Sequence, residues 1–370
     1  MQETRFVNQV HQQLDERKKM ILKAIVDDYI ETAEPVGSKT LVSRHQLPVS
    51  SATIRNEMAD LEEMGYLEQP HTSAGRIPSD LGYRTYVDNL MEVEALPDEQ
   101  ARTIRTVLKE NMSEVTGLIR KASQLLSDQT QYASLALSPK CCKNHLQQIK
   151  MLMIEPGRAL VVVVLSAGLV KDRMVRIPDL VDSSQLAQIA NAIEEGLHGM
   201  PLDDITLVAV SAAGKHAPLP DSLLNQVLYE AYISIKQADN LEVYMAGSNK
   251  LLAYPEFADI SRARTTLDVL AKEGMVAGYL NEGIGEEPAN SAYMIRIGQE
   301  IALSGLENCS FITTTYRIGD TVAGRIGVIG PRRMAYAKVI SNINFVRMNL
   351  NDQIRSLSSG SDQMEDDRTL

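Results

Sequence analysis

The sequence has no tryptophan, four phenylalanines and only three cysteines in 370 residues. Three thiols cannot build a disulfide framework, which excludes a small disulfide-stapled secreted scaffold and points to a reducing cytoplasm. Long apolar runs are missing too. The longest, residues 159–165, has strand length, far below the ~20 residues of a membrane-spanning helix. The N-terminus, MQETRFVNQVHQQLDERKK, lacks the apolar segment of a signal peptide. Positive charge is scarce: 37 Lys and Arg stand against 48 Asp and Glu, a net charge of −11. Such a chain repels phosphate in bulk, which argues against a non-specific nucleic-acid coat protein. Nucleophile-elbow and coupled Ser/His/Asp patterns are absent, and Glu194-Glu195 and Glu286-Glu287 are merely adjacent. The residues therefore offer no enzyme. What is present, 44% hydrophobic and 23% charged residues, is an ordinary globular composition sized for two or three domains.

The pattern predicts a polar arm over 1–15, then short helices with tight turns over 16–92. Met20, Ile21, Ala24, Ile25 and Ile30 give a first helix its apolar stripe. Pro35-Val36-Gly37 stops it, Ser38 starts a second helix, and Ser50 or Ser51 caps a third that closes at Gly65. Residues 66–69 read as a strand, Thr72–Arg76 as a turn, and Ile77 as a return strand. A further helix starts at Ser79 or Asp80. A long amphipathic helix over 98–128 carries Ile104, Leu108, Asn111, Val115, Leu118, Ala122 and Leu125 in steps of four and three. That stripe fits a dimer seam or a helix packed on its own domain. Strands are expected over 148–155, 159–165, 169–177, 205–210, 294–297, 310–316 and 323–329, and helices over 183–197, 221–236, 261–281 and 338–350. The acidic tail, 351–370, reads as disordered. The class is α+β, with several domains behind a helical head.

Three helices followed by a hairpin describe a winged helix-turn-helix. Ile54, Met58 and Leu61 share the inward face of the third helix. Ser51, Ala52, Arg55, Asn56 and Ala59 then face outward and suit a DNA major groove. Arginine bonds guanine O6 and N7 together, asparagine bonds adenine N6 and N7, and alanine touches a thymine methyl. Lys39, Thr40 and Arg44 on the second helix are placed for phosphates, and Arg76 for the wing tip, with Arg84 a weaker phosphate candidate. Residues 1–92 carry ten Lys and Arg against fifteen Asp and Glu, so non-specific binding should be weak and salt-sensitive. A winged helix used for protein contacts is the competing reading.

Other candidates are weaker. Cys141-Cys142-Lys143-Asn144-His145 has poor geometry for a tetrahedral metal, so no metal or cofactor is expected. Cys309 reads as a small core residue. Gly324, Gly327 and Gly330 lie inside an apolar strand and match no nucleotide fingerprint. Arg332-Arg333 reads as a solvated pair, with anion binding as the alternative.

Four stretches carry a resemblance: Glu34-Pro-Val-Gly-Ser-Lys-Thr-Leu41, Ser50-Ser-Ala-Thr-Ile-Arg-Asn-Glu-Met58, Gln69-Pro-His-Thr-Ser-Ala-Gly-Arg-Ile-Pro78 and Gly327-Val-Ile-Gly-Pro-Arg-Arg-Met334. Together with Ile295–Gly298 and Thr315-Tyr316 they resemble the heat-inducible transcription repressor family HrcA over about residues 17–350. The resemblance implies a bacterial cytoplasmic repressor that binds the inverted-repeat operator CIRCE upstream of groE- and dnaK-type chaperone operons. It implies a homodimer whose active form is maintained by the GroE chaperonin and lost on heat stress. It further implies a GAF-like domain interrupted by a dimerising segment. The lapse of strand pattern places that segment at 214–288, between GAF-like parts at 98–213 and 289–350. Its best interface candidate is the helical stretch 262–280, with Leu267, Leu270 and Val276. On the DNA face the resemblance covers Ser51, Arg55, Asn56 and Arg76; one departure is Glu57, where the family commonly has Asp. A GAF-like domain that senses a small effector is the alternative.

Overall fold

The computed structural model describes residues 14–45, 48–71, 74–109, 115–139, 145–166, 169–215, 219–238, 241–281, 293–318 and 321–366. Helix α1 (Glu16–Thr32) starts where the Asp15 carboxylate accepts the Lys18 N–H, and it ends at Ala33 in the left-handed region. Helix α2 (Ser38–His45) follows. Ser50 caps α3 (Ser51–Glu63) by accepting the Thr53 N–H, and Ile54, Met58 and Leu61 are buried as the spacing requires. Strands β1 (Leu67–Glu68) and β2 (Ile77–Pro78) pair antiparallel. Ser79 then caps α4 (Asp80–Thr85), which runs on into a wide π-helical turn at Tyr86–Leu90.

Gly75 explains why the hairpin motif needs a glycine. A Cβ there would stand 2.3 Å from the Val36 carbonyl oxygen. At this point a Val36–Arg76 bridge ties the hairpin to the α1–α2 connection, and only a residue without a side chain permits the approach.

Beyond the head come α5 (Asp98–Lys109), α6 (Val115–Thr130), β3 (Ala133–Leu137), β4 (Leu146–Glu155), β5 (Arg158–Leu165) and β6 (Leu169–Arg176). Next are α7 (Ser183–Leu197), α8 (Leu207–Gly214), α9 (Asp221–Gln237), β7 (Val243–Ala246), α10 (Ile260–Leu270) and α11 (Glu273–Asn281). The chain closes with β8 (Met294–Ile297), β9 (Cys309–Ile318), β10 (Thr321–Pro331) and α12 (Tyr336–Asp366). Five strands form one antiparallel sheet in the order β7-β3-β10-β9-β8. Strands β4, β5 and β6 form a separate meander.

The class is mixed α/β, and the five-stranded sheet is interrupted in sequence. Strands β3 and β7 are neighbours in the sheet, so the excursion between them is the inserted unit. It runs through residues 146–237, earlier than the expected 214–288. Only α9 of that expected segment belongs to it. Helices α10 and α11 instead cover the sheet face made by Leu135, Phe311 and Ile329, where Leu270, Val276 and Leu280 are buried. The apolar face of 262–280 is therefore used inside the chain and is not open to a partner.

Other expectations are corrected too. Residues 205–210 are not a strand: Thr206 caps α8 there, and the apolar run Leu207–Val210 that follows has no periodicity to separate the two states. The helix expected over 261–281 is two, broken after Leu270. The 98–128 stripe belongs to two helices, α5 and α6, which pack on each other and on α12. Ile104, Leu108, Val115, Leu118, Ala122 and Leu125 are all buried there, so the stripe is an internal seam; Asn111 lies outside the described residues. Helix α12 passes residue 351, where the tail was expected to begin, buries Ile354 and continues to Asp366.

Candidate nucleic-acid interface

The Ser38 and Ser51 hydroxyls lie 3.0 Å apart and join the N-termini of α2 and α3. This contact presents one continuous edge. On it Lys39 and Thr40 are exposed at the start of α2, and Ala52, Arg55, Asn56 and Ala59 are exposed along α3. Ser51 is half-buried, held by Ser38. Six of the eight expected contact residues, Lys39, Thr40, Ser51, Ala52, Arg55 and Asn56, thus come together on one surface. Among the described residues neither Lys39 nor Arg55 has an ion-pair partner, so both charges remain available.

The acids of the same helix are drawn away from that edge. Lys18 on α1 donates to Glu57 at 2.5 Å and to Asp60 at 3.0 Å. Those bonds, Glu57 first, hold its ammonium above the usual lysine value. Arg76 engages Glu62 through Nε at 2.8 Å and Nη2 at 2.7 Å. A net-negative head therefore need not be repulsive, because Glu57, Asp60 and Glu62 already face cations.

The structure also shows where three other expected cations lie. Arg76 sits on the inner part of the hairpin, bridged to Val36 and forked onto Glu62; it is not at the wing tip. Arg44 is turned back to α1, 3.4 Å from Asp28 and 3.5 Å from Glu31. His45 joins it with Nε2 3.0 Å from Asp28. Arg84 faces the body, where it donates to Glu300 and to the Ile295 carbonyl oxygen. Composition reveals that these cations exist; only the fold reveals which carboxylate each one meets. Thr72 and Ser73, at the turn of the hairpin, lie outside the described residues.

Arg76→Ala is accordingly expected to act on stability. Loss of a half-buried forked pair costs on the order of 1 kcal/mol, read as a lower Tm. The salt slope of DNA binding stays unchanged in a titration; a slope reduced by about one would restore Arg76 as a phosphate ligand.

Elsewhere, burial pushes the Cys309 thiol up to about 12, as suits a core residue. Cys141 and Cys142 lie outside the described residues. Arg332 and Arg333 are not a solvated pair. Arg332 Nη1 lies 2.7 Å from Asp80 of α4, and Arg333 Nη1 donates to the Ile30 carbonyl oxygen of α1 at 3.0 Å. The motif is visible in the sequence, but its partners on α1 and α4 are not. Among the described residues no helix is long and apolar enough to cross a membrane.

Comparison with known proteins agrees with the sequence motifs. Residues 116–340 match the family described as the HrcA protein C terminal domain. The chain is 42% identical to the heat-inducible transcription repressor HrcA of Ruminiclostridium cellulolyticum, covering 93% of this chain and 98% of that one. It is 41% identical to the protein of the same name from Acetivibrio thermocellus, over 93% and 97%. With that of Clostridium perfringens it shares 36% over 93% and 99%. A crystal structure described only as that of a hypothetical protein superposes with a TM-score of 0.65 at 21% identity, over 94% of this chain and all of the other. That likeness is one of fold. The chain belongs to the HrcA family of heat-inducible transcription repressors.

Proposed function

We propose that this chain represses heat-shock chaperone operons of the groE and dnaK type by binding the CIRCE inverted repeat as a homodimer in the cytoplasm. The observation that carries the reading is the edge of α2 and α3. Arg55, Asn56 and Ala52 project there from the first turns of a helix whose opposite face is core. Residues 16–90 act as a winged helix-turn-helix, α3 entering the major groove while Lys39 and Thr40 hold phosphates. The five-stranded sheet acts as the GAF-like scaffold.

An inverted repeat calls for a two-fold protein. The outer face of the β4-β5-β6 meander supports that need. Leu152, Ile154 and Met174 are exposed there, beside half-buried Leu160, Val162, Val164 and Val170. Leu152 lies opposite Leu160, which lies opposite Met174. The other face of the meander is covered by α7 and α9. Two such faces packed against each other would bury a continuous apolar layer.

Heat then acts by mass action. Repression follows the concentration of folded dimer, which falls as chains misfold and rises when a chaperonin returns them. Operator binding is expected to drop when the protein is warmed to heat-shock temperature and to recover on addition of GroE with ATP. Full retention of binding at that temperature without chaperonin would overturn this part of the reading.

A further inference from the structure

The head is not tethered loosely to the body. Tyr83 of α4 and Tyr336 of α12 are both fully buried, with ring centroids 6.1 Å apart. Polar anchors surround this contact. Asp80 and Arg84 stand one helical turn apart on α4 and share a face. The body meets both with opposite charge. Asp80 Oδ1 accepts from Arg332 Nη1 at 2.7 Å, and its Oδ2 accepts from the Gln299 N–H at 3.1 Å. Arg84 reaches Glu300 with Nε at 2.9 Å and with Nη2, and Nη2 also donates to the Ile295 carbonyl oxygen at 2.8 Å. Glu300 is itself fixed by the Ile297 N–H at 2.9 Å. Gly298 has a φ of +54°, and a Cβ there would stand 2.2 Å from Asp80, so the body backbone is shaped to admit that carboxylate. A further anchor lies on a different helix, where Arg333 binds the Ile30 carbonyl oxygen near the end of α1 and pairs with Glu256 at 2.6 Å.

We infer that this clamp, with Arg332 and Glu300 as its positioning residues on the body, fixes the orientation of each reading head and so sets the half-site spacing that the repressor accepts. The inference rests on the dimeric operator reading. Anchors on two helices hold the head against rotation about either one. Two clamped heads in a two-fold dimer then stand at one separation. Heads on flexible tethers would instead tolerate a range of spacings, because a tether only sets an effective concentration.

The test uses the full chain and a series of duplexes. One carries the repeat with its natural spacer, others have the spacer lengthened by about two or about five base pairs, the latter half a turn. One carries a single half-site and one is scrambled. The wild type is expected to lose at least about tenfold in affinity when the spacer changes. The triple variant Glu300→Gln, Arg332→Gln and Arg333→Gln removes the charged body anchors on both helices and leaves the head's own residues unchanged. It should bind all spacings within about threefold of one another while keeping the wild-type affinity for the single half-site. Arg332→Lys, which keeps a cation opposite Asp80, should retain the spacing preference. The clamp is overturned if the wild type binds all spacings alike, a result that needs no variant, or if the folded triple variant keeps the wild-type preference. A wild type that does not distinguish the repeat from the scrambled duplex would sink the operator reading instead.

Discussion

Arg55→Ala is expected to lower operator affinity by roughly ten- to a hundredfold or more and to erase preference at one base pair of each half-site. The estimate follows from the ~1–3 kcal/mol of discrimination that one bidentate arginine–guanine pair supplies. Arg55 can supply it because it is exposed on the second turn of α3 and has no carboxylate partner among the described residues, unlike Arg44 and Arg76. Arg55→Lys should recover affinity better than base preference, since an ammonium lacks the planar fork. Asn56→Ala should act in the same way at a neighbouring base pair. Competition titrations with singly substituted operators measure both effects. Arg55→Ala protein that keeps full discrimination would remove α3 from the major groove.

Charge placed on the outer face of the meander should have an effect of similar size by another route. Leu160→Asp combined with Leu152→Asp is expected to give monomers in sedimentation velocity. Affinity for the full repeat should then fall by about a hundredfold or more, because the second half-site contact is no longer intramolecular. Affinity for a single half-site should stay unchanged, since both residues lie on the inserted unit and not on the head. Leu270→Asp, in the stretch that the sequence favoured as the interface, should instead unfold the protein, because Leu270, at the end of α10, is buried in the core between α10, α11 and the sheet. Persistence of the dimer in Leu152→Asp, Leu160→Asp protein would exclude this face.

What was legible in the sequence was local. Ser50 and Ser79 each cap a helix, and capping needs only a side-chain oxygen and an N–H two or three residues on. The inward face of α3 was equally legible, because Ile54, Met58 and Leu61 repeat with the helical period. The rest depends on distant partners. No expected strand falls on β3 or β7: both are short, β3 is buried on both faces and so shows no alternation, and nothing local says that β3 pairs with β7 and β10. An apolar stripe looks the same in a dimer seam and in a domain core, and α5 and α6 use theirs internally. The basic residues show the limit most clearly. Arg55 and Arg76 are equally charged in the sequence, yet one faces solvent and the other is forked onto Glu62.

Repression depends on recognition of an inverted repeat by the α2–α3 edge. Fluorescence anisotropy tests it most directly, with the full chain titrated at physiological salt onto a duplex carrying the repeat and onto a scrambled duplex of equal length. Tight, saturable binding to the repeat alone is the predicted result. Equal weak binding to both, unchanged when chaperonin and ATP are added to the same cuvette, would contradict it.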